Sequence, residues 1–260
     1  MLALPFRYER IAEMLAGDHK LSVADCERMQ QDVTNLAAKR FQRIVSRHAG
    51  AARGELKGAY ARFLRWDARM TAESPEAALF AVWSTALRQA LVASPLASAM
   101  DLRKTLDLLD KEPSGRALER AYQLAVAELE KRLGKDRAEW RWGRLHTISF
   151  THPLRVSPKY APLFHRGPLP RPGDANTVNA AGGQGLRQTS GASYRQILDL
   201  ADWDRSVMTN VPGESGNPES EHYSDLLEDW AAGRYHPMPY SRKAVEAATV
   251  ERIRLLPARP

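Results

Sequence analysis

Trp140-Arg141-Trp142-Gly143-Arg144-Leu145-His146-Thr147-Ile148-Ser149-Phe150-Thr151 is the stretch where the hydrophobic period of this chain changes. Leu145, Thr147, Ser149 and Thr151 alternate with His146, Ile148, Phe150 and His152, the two-residue repeat of a strand. Pro153 closes it, since proline has no N–H to give to a sheet ladder. Upstream the repeat is helical. Ser22 is a candidate N-cap with Asp25 in the first turn. Cys26, Met29, Val33, Leu36, Ala37, Phe41 and Ile44 then predict one helix to about His48. Leu56, Tyr60, Phe63 and Leu64 predict a second, ending near Trp66. Pro75 opens a third, with Leu79, Phe80, Val82, Trp83, Leu87 and Leu91 inward and Ser94-Pro95 as its stop. A short helix over 101–109 and a long one carrying Leu118, Tyr122, Ala125, Val126, Leu129 and Leu133 follow, the latter closed by Gly134.

Downstream, 153–173 is rich in Pro and Gly and reads as a long surface loop. Short strands are expected at 177–181, 193–200 and 206–211, with a turn or flexible loop at Gly182-Gly183-Gln184-Gly185. Helices are expected at 221–232 and 241–248, and a final strand at 250–255. Helices first and strands second is the order of an α+β fold, not of alternating βαβ units. The division falls between a mainly helical region, 1–138, and a strand-rich region, 139–260.

The 260 residues are 43% hydrophobic and 27% charged, a soluble globular profile with room for one or two domains. No apolar run approaches the roughly 20 residues needed to span a bilayer. Met1 to Phe6 is apolar, but Arg7 to Arg10 interrupts it, so the sequence as given carries no export signal. The net charge of +7 is spread among acidic residues on amphipathic helices, without a basic tract interleaved with aromatics. Nucleic acid is therefore not an expected partner.

Several residues invite chemistry and are better read as structure. Cys26 is the only cysteine, so an intramolecular disulfide is impossible and a cysteine-based zinc site unlikely. On the apolar stripe of its helix it reads as buried. Gly182 to Gly185 lacks the following helix and lysine of a phosphate loop. His146, His152, His165, His222 and His236 show no helical zinc spacing, although His146 and His152 would share a strand face. Ser215, His222 and Asp225 could make a nucleophile, base and orienter, but Ser215 does not sit in a Gly-x-Ser-x-Gly elbow. The six tryptophans read as core anchors.

Gly213-Glu214-Ser215-Gly216-Asn217-Pro218-Glu219-Ser220-Glu221-His222-Tyr223 is punctuated as a fixed loop before a helix. It is the last of an ordered series. The others are Arg7-Tyr8-Glu9-Arg10-Ile11 with Met14-Leu15, Gln31-Asp32-Val33 with Ala37-Ala38, and Arg65-Trp66-Asp67. Then come 140–154, Gly173-Asp174-Ala175-Asn176-Thr177-Val178-Asn179, Ser193-Tyr194-Arg195 with Asp199-Leu200, and Asp202-Trp203-Asp204-Arg205-Ser206. The series resembles the C-terminal portion of the penicillin acylase (penicillin amidase) family of N-terminal-nucleophile hydrolases.

That resemblance implies part of a four-layer αββα sandwich with a mainly helical insertion. It implies a Ser freed at a chain N-terminus that attacks an amide carbonyl, its own α-amine, titrating near 7.7–8.0, acting as base. An Asn side chain and backbone N–H groups would hold the oxyanion. Arg7 matches an Arg that lies beside the nucleophile in several members. The nucleophile, and the Asn about two dozen residues before that Arg, would precede Met1. Glu214 could face the cleft, or simply cap a backbone turn. No cofactor or metal is implied. The partners implied are the N-terminal part of the same enzyme (α-chain and start of the β-chain) and a small N-acyl amide substrate. That substrate would be a β-lactam side chain, an acyl-homoserine lactone or a lipopeptide acyl group. A periplasmic or secreted location is implied as well. The chain is expected to be inactive alone, with strands such as 145–151 paired to strands from the missing part. The alternative is a non-catalytic helical binding module derived from the family.

Overall fold

The computed structural model describes residues 4–18, 20–91, 101–152 and 157–257. The chain falls into two compact units, Met1–His19 with Arg28–Ala192, and Lys20–Glu27 with Ser193–Pro260.

The first unit is built on helices α1 (Phe6–Leu15), the end of α2 (Val23–Gln30), α3 (Leu36–Ser46), α4 (Gly54–Arg65), α5 (Pro75–Leu91), α6 (Leu102–Lys111) and α7 (Gly115–Leu133). The short helices α8 (Trp142–Leu145) and α9 (Ala161–Phe164) follow. Helix α5 is apolar nearly all round, as a helix enclosed by others must be. Its Trp83 is the hub of the core. Ring centroids of Phe41, Phe63, Tyr122 and Tyr60 lie 4.9, 5.3, 5.4 and 5.5 Å from it, mostly edge-to-face. Its buried indole N–H donates to the Leu118 carbonyl at 3.0 Å.

The helix expected from Ser22 to His48 is broken. Ser22 does cap α2, exchanging hydrogen bonds with Asp25, but the chain leaves the helix after Gln30. Asp32 accepts from the Thr34 N–H and hydroxyl, both at 3.1 Å, and Asn35 caps α3 through Ala38 N–H. Thr34 bridges Arg69, and Asn35 and Met70 exchange backbone bonds with the opposite segment. Short polar side chains thus offer the backbone better partners than a continued helix would. Cys26 is half-buried, and α2 buries no residue, so the buried reading of this cysteine is corrected. The expected stop at Ser94-Pro95 lies outside the described residues.

The 140–151 stretch opens as the helical turn α8, with His146 N–H bonded back to Trp142, before β1 (Thr147–Phe150). His146 is therefore not on the strand, and does not share a strand face with His152. Strand β1 pairs antiparallel with β2 (Arg166–Pro170), Thr147 opposite Pro170 and Ile148 opposite Leu169. That partner lies inside the expected loop 153–173 and inside this chain. The prolines of β2 are tolerated because it is an edge strand. Gly183–Gln184 (β3) and Arg187–Gln188 (β4) form a small hairpin turning at Gly185, whose φ is 64°. Residues 177–181 are turns, not a strand, because Thr177 bonds locally to Asp174 and Asn179.

The second unit carries an antiparallel sheet in the order β5 (Arg195–Ile197), β6 (Val207–Thr209), β7 (His236–Pro237), with α10 (Leu227–Ala232) and α11 (Arg242–Ala248). Trp230 of α10 is buried, and the Arg195 guanidinium lies 5.4 Å from its ring centroid. The expected helix 221–232 is split into a 3₁₀ turn, Glu221–Tyr223, and α10, because Ser224 between them, with φ −151° and ψ 21°, is not helical. The expected strand at 250–255 does not form, and that segment is unpaired and exposed.

Candidate functional site

The polar chemistry of the first unit gathers where the break before α3 meets 171–179. Asp174 accepts from Asn35 Nδ2 at 2.7 Å and from Asn176 N–H at 2.7 Å. Its own N–H donates to Thr177 Oγ1 at 2.9 Å. Burial pushes the Asp174 carboxyl up to about 6, against the pull of these donors. Alongside, Asp32 receives a two-pronged ion pair from Arg10, Nε and Nη2 each 3.0 Å from a carboxylate oxygen. Burial would raise Asp32, but Arg10 and Thr34 outweigh it and hold the group below its ordinary value. Asn179 ties the two halves, its N–H donating to Asp32 O at 2.9 Å and its Nδ2 to Gln31 Oε1 at 3.0 Å.

Next to Asp174, the Trp142 indole N–H donates to Gly173 O at 2.9 Å. The His146 ring stacks on Trp142, 4.5 Å between centroids and 8° from parallel. His146 is 3% exposed, and its Nδ1 lies 2.7 Å from the Leu186 carbonyl. A carbonyl only accepts, so Nδ1 is the donor in this contact. Burial lowers the pKa of His146, the carbonyls of Leu186 and Ala181 oppose it, and Arg171 adds to the lowering. Nε2 is buried and finds no partner of normal hydrogen-bond geometry among the described residues. These groups line a cleft of about 1030 Å³ walled by Phe80, Ser84 and Arg88 of α5 and by Leu124 of α7. A neutral imidazole and a carboxyl titrating near neutrality on one wall can position a polar ligand or exchange a proton with it.

Arg7 lies on α1 of the first unit, half-buried, and forms no ion pair among the described residues. Glu214 is an exposed loop residue of the second unit and accepts from Asn210 Nδ2 at 2.6 Å. Its loop is fixed from within: Ser215 N–H donates to His222 O at 3.0 Å, and Leu226 N–H to Pro212 O at 3.2 Å. A Cβ on Gly213 would stand 2.4 Å from His222 O, so only glycine fits there. His222 Nδ1 sits 2.9 Å from Asp225 Oδ2, which raises the imidazole pKa, while Ser215 Oγ accepts from Asn217 N–H at 3.1 Å. The His–Asp pair exists, and the serine is occupied in its own turn.

Asp202-Trp203-Asp204-Arg205-Ser206 also acts structurally. Asp204 accepts from the Tyr240 and Ser241 N–H groups and from Ser241 Oγ at 2.6–2.9 Å, pinning the start of α11. No group of three or more metal-ligating side chains converges, and no helix is long and apolar enough to cross a membrane, among the described residues. The Asp174–His146 wall was not singled out from residue patterns. Asn35 and Asp174 are 139 residues apart, and no local spacing links them. The available signal was polar residues interrupting apolar periodicity at Asp32 to Asn35.

The profile of the penicillin amidase family matches residues 2–247. The acyl-homoserine lactone acylase QuiP of Pseudomonas aeruginosa is 27% identical, the alignment covering 98% of this chain and 37% of the relative. The penicillin acylase 2 proenzyme of Pseudomonas sp. strain SE83 is also 27% identical, over 98% of this chain and 36% of its own length. Among solved structures, a thermostable penicillin G acylase from Alcaligenes faecalis superposes with a TM-score of 0.58 at 16% identity, covering 96% of this chain and 53% of that one. The chain thus spans little more than a third of the length of these curated relatives.

Proposed function

Because this chain belongs to the penicillin amidase family, we propose that it is one portion of an amidohydrolase that cleaves N-acyl amides and is silent without the remainder. One observation carries this reading: the family profile runs over almost the whole chain, while the chain covers 37% of a full-length relative. The nucleophilic Ser, its α-amine and the oxyanion Asn are assigned to the remainder. Arg7 is assigned a positional and electrostatic role beside that nucleophile, consistent with its lack of an ion-pair partner among the described residues. Glu214 is the weaker assignment, since its carboxylate already serves Asn210. The similarity to acylases named for acyl-homoserine lactones and for penicillin supports an acyl chain on a small polar amine as substrate. A periplasmic or secreted site of action goes with this proposal.

The test is amidase activity on a chromogenic N-acyl substrate, with this chain alone and with the chain co-expressed beside an N-terminal portion from the family. Activity only in the mixture is expected, with Arg7→Ala lowering kcat and Arg7→Lys restoring part of it. Activity of the chain alone would overturn the proposal and return attention to Ser215 and Cys26. A folded mixture without activity would favour the binding-module alternative.

A further inference from the structure

Counted along the elements of the fold, the net charge of +7 is concentrated, not spread. Residues 36–69, from the start of α3 to just past α4, hold nine Lys and Arg against only Glu55 and Asp67, so this stretch carries the whole excess and the rest of the chain is balanced. Phe41 of α3 and Phe63 of α4 both pack on Trp83, with ring centroids 4.9 and 5.3 Å away. Lys39 and Arg43 each lie two residues from Phe41, and Arg65 two from Phe63, about 160° round a helix from the inward ring. All three therefore point away from the same hub. Lys57, Arg62 and Arg69 are exposed as well, and none of the six cations makes an ion pair among the described residues. The neighbouring acids are already committed. Asp107 and Asp110 hold Arg40, Asp110 also holds Arg47, and Glu55 pairs with Arg137. Across a cavity of about 590 Å³ from Lys39 and Arg43, Glu13 is paired to Arg10, which leaves Glu9.

Six uncompensated like charges on neighbouring helices repel one another, and an anionic partner relieves that repulsion. The chemistry of the face narrows the partner. Four of the six are arginines, whose guanidinium takes phosphate oxygens in pairs. The face offers no exposed large apolar residue: Phe41, Tyr60 and Phe63 are buried, and Trp66 packs on Phe63 and Phe80. A protein interface needs an apolar centre, and a single nucleic-acid strand needs exposed rings for its bases. Helix α3 is flanked by α1, α4 and α6, so no lone helix projects to enter a duplex groove. What fits is a broad array of phosphates met by charge alone, along two helices each about 16–18 Å long. We propose that the outward face of α3 and α4 docks on an anionic phospholipid surface, through Lys39, Arg43 and Arg65 at its centre and without insertion. The proposal needs neither a nucleophile nor amidase activity, so it stands apart from the enzymatic reading.

The experiment is sedimentation of the full chain with vesicles of equal parts phosphatidylglycerol and phosphatidylcholine, and with vesicles of phosphatidylcholine alone. Binding is expected to the anionic vesicles only, and is expected to vanish at about 1 M salt, where the screening length falls to about 3 Å. The triple variant Lys39→Gln, Arg43→Gln, Arg65→Gln should bind roughly a hundredfold more weakly, at about fivefold per charge. A second triple variant, Arg242→Gln, Lys243→Gln, Arg252→Gln, removes the same charge from the second unit and should weaken binding less than about threefold, since charges beyond a screening length from the membrane contribute little. All six positions are exposed, and circular dichroism should confirm that both variants fold. Equal weakening by the two variants would show that net charge alone drives binding and would overturn the proposal. So would no binding to the anionic vesicles, or equal binding to phosphatidylcholine. Tighter binding to a mixed-sequence DNA duplex at the same salt would also overturn it and assign the face to nucleic acid. Loss of vesicle binding on co-expression with the rest of a family member would reject it too, by showing that the face is covered.

Discussion

Asp174 and His146 stand on one cleft wall and respond to pH in opposite senses. The folded Asp174 carboxyl titrates near 6, above its unfolded value, so between about pH 4 and 6 the folded state binds the extra proton. Stability from this group is greatest at the acid end and is lost as pH rises through 6, by at most about 1.4 kcal/mol per pH unit. His146 is depressed by burial, so its contribution is present above its unfolded value and lost as pH falls through the folded one. Asp174→Asn is expected to remove the loss between pH 4 and 6 while costing about 1–2 kcal/mol at every pH for a mismatched acceptor. Urea midpoints across that range check both. His146→Gln should flatten the fall in stability on acidification below the ordinary histidine range, which thermal melts at pH 5 and 7.5 would reveal. Trp142 and His146 were already visible in the decisive stretch, and Asp174 in a family-like segment. Their proximity depends on Leu186 and Asn35, distant in sequence, and so was not legible.

At the scale of elements, α3 shows how one residue serves two masters. Asn35 caps α3 through Oδ1 and holds Asp174 through Nδ2. Asn35→Ala is expected to cost about 1 kcal/mol for the cap and a further 1–3 kcal/mol for a part-buried carboxylate deprived of a donor. Asn35→Asp keeps the cap but places a carboxylate against Asp174, and should be worst at neutral pH and milder near pH 5, where Asp174 holds its proton. Denaturant titration of the three proteins distinguishes these contributions. Periodicity located α4, α5, α6 and α7 well, because each buries an apolar stripe against neighbours, whereas α11 buries no residue. It ran α2 and α3 together, because an apolar residue at Val33 keeps the 3.6-residue phase while the backbone around it leaves the helix. It made a loop of β2 because prolines mask an edge strand.

For the molecule as a whole, the core of the first unit depends on Trp83. Trp83→Ala is expected to destabilise that unit by about 3–5 kcal/mol. The second unit has its own core around Trp230, so tryptophan fluorescence of Trp203 and Trp230, followed in a variant lacking the others, should change little. Coincident loss of this fluorescence and of the far-ultraviolet helical signal would show that the two units unfold as one. The chain alone should also associate as concentration rises, since Leu200, Tyr240, Ile253 and Leu255 are exposed large apolar residues. Light scattering that falls when the remaining part of a family member is co-expressed would support this.

By itself the sequence determined the α+β class, the family, the helices that carry the aromatic core, and the lack of any apolar run long enough for a bilayer. These follow from composition, from short periods and from motifs contiguous in the chain. Only the tertiary structure decided that β1 has its partner in β2, that Cys26 is half-buried, and that Asp174 and His146 share a cleft wall. It also decided that 250–255, where a strand was expected, stays unpaired. The reason is physical: a period reports which face of an element is apolar, whereas partners across a hundred residues are chosen by closure of the fold and satisfaction of buried polar groups.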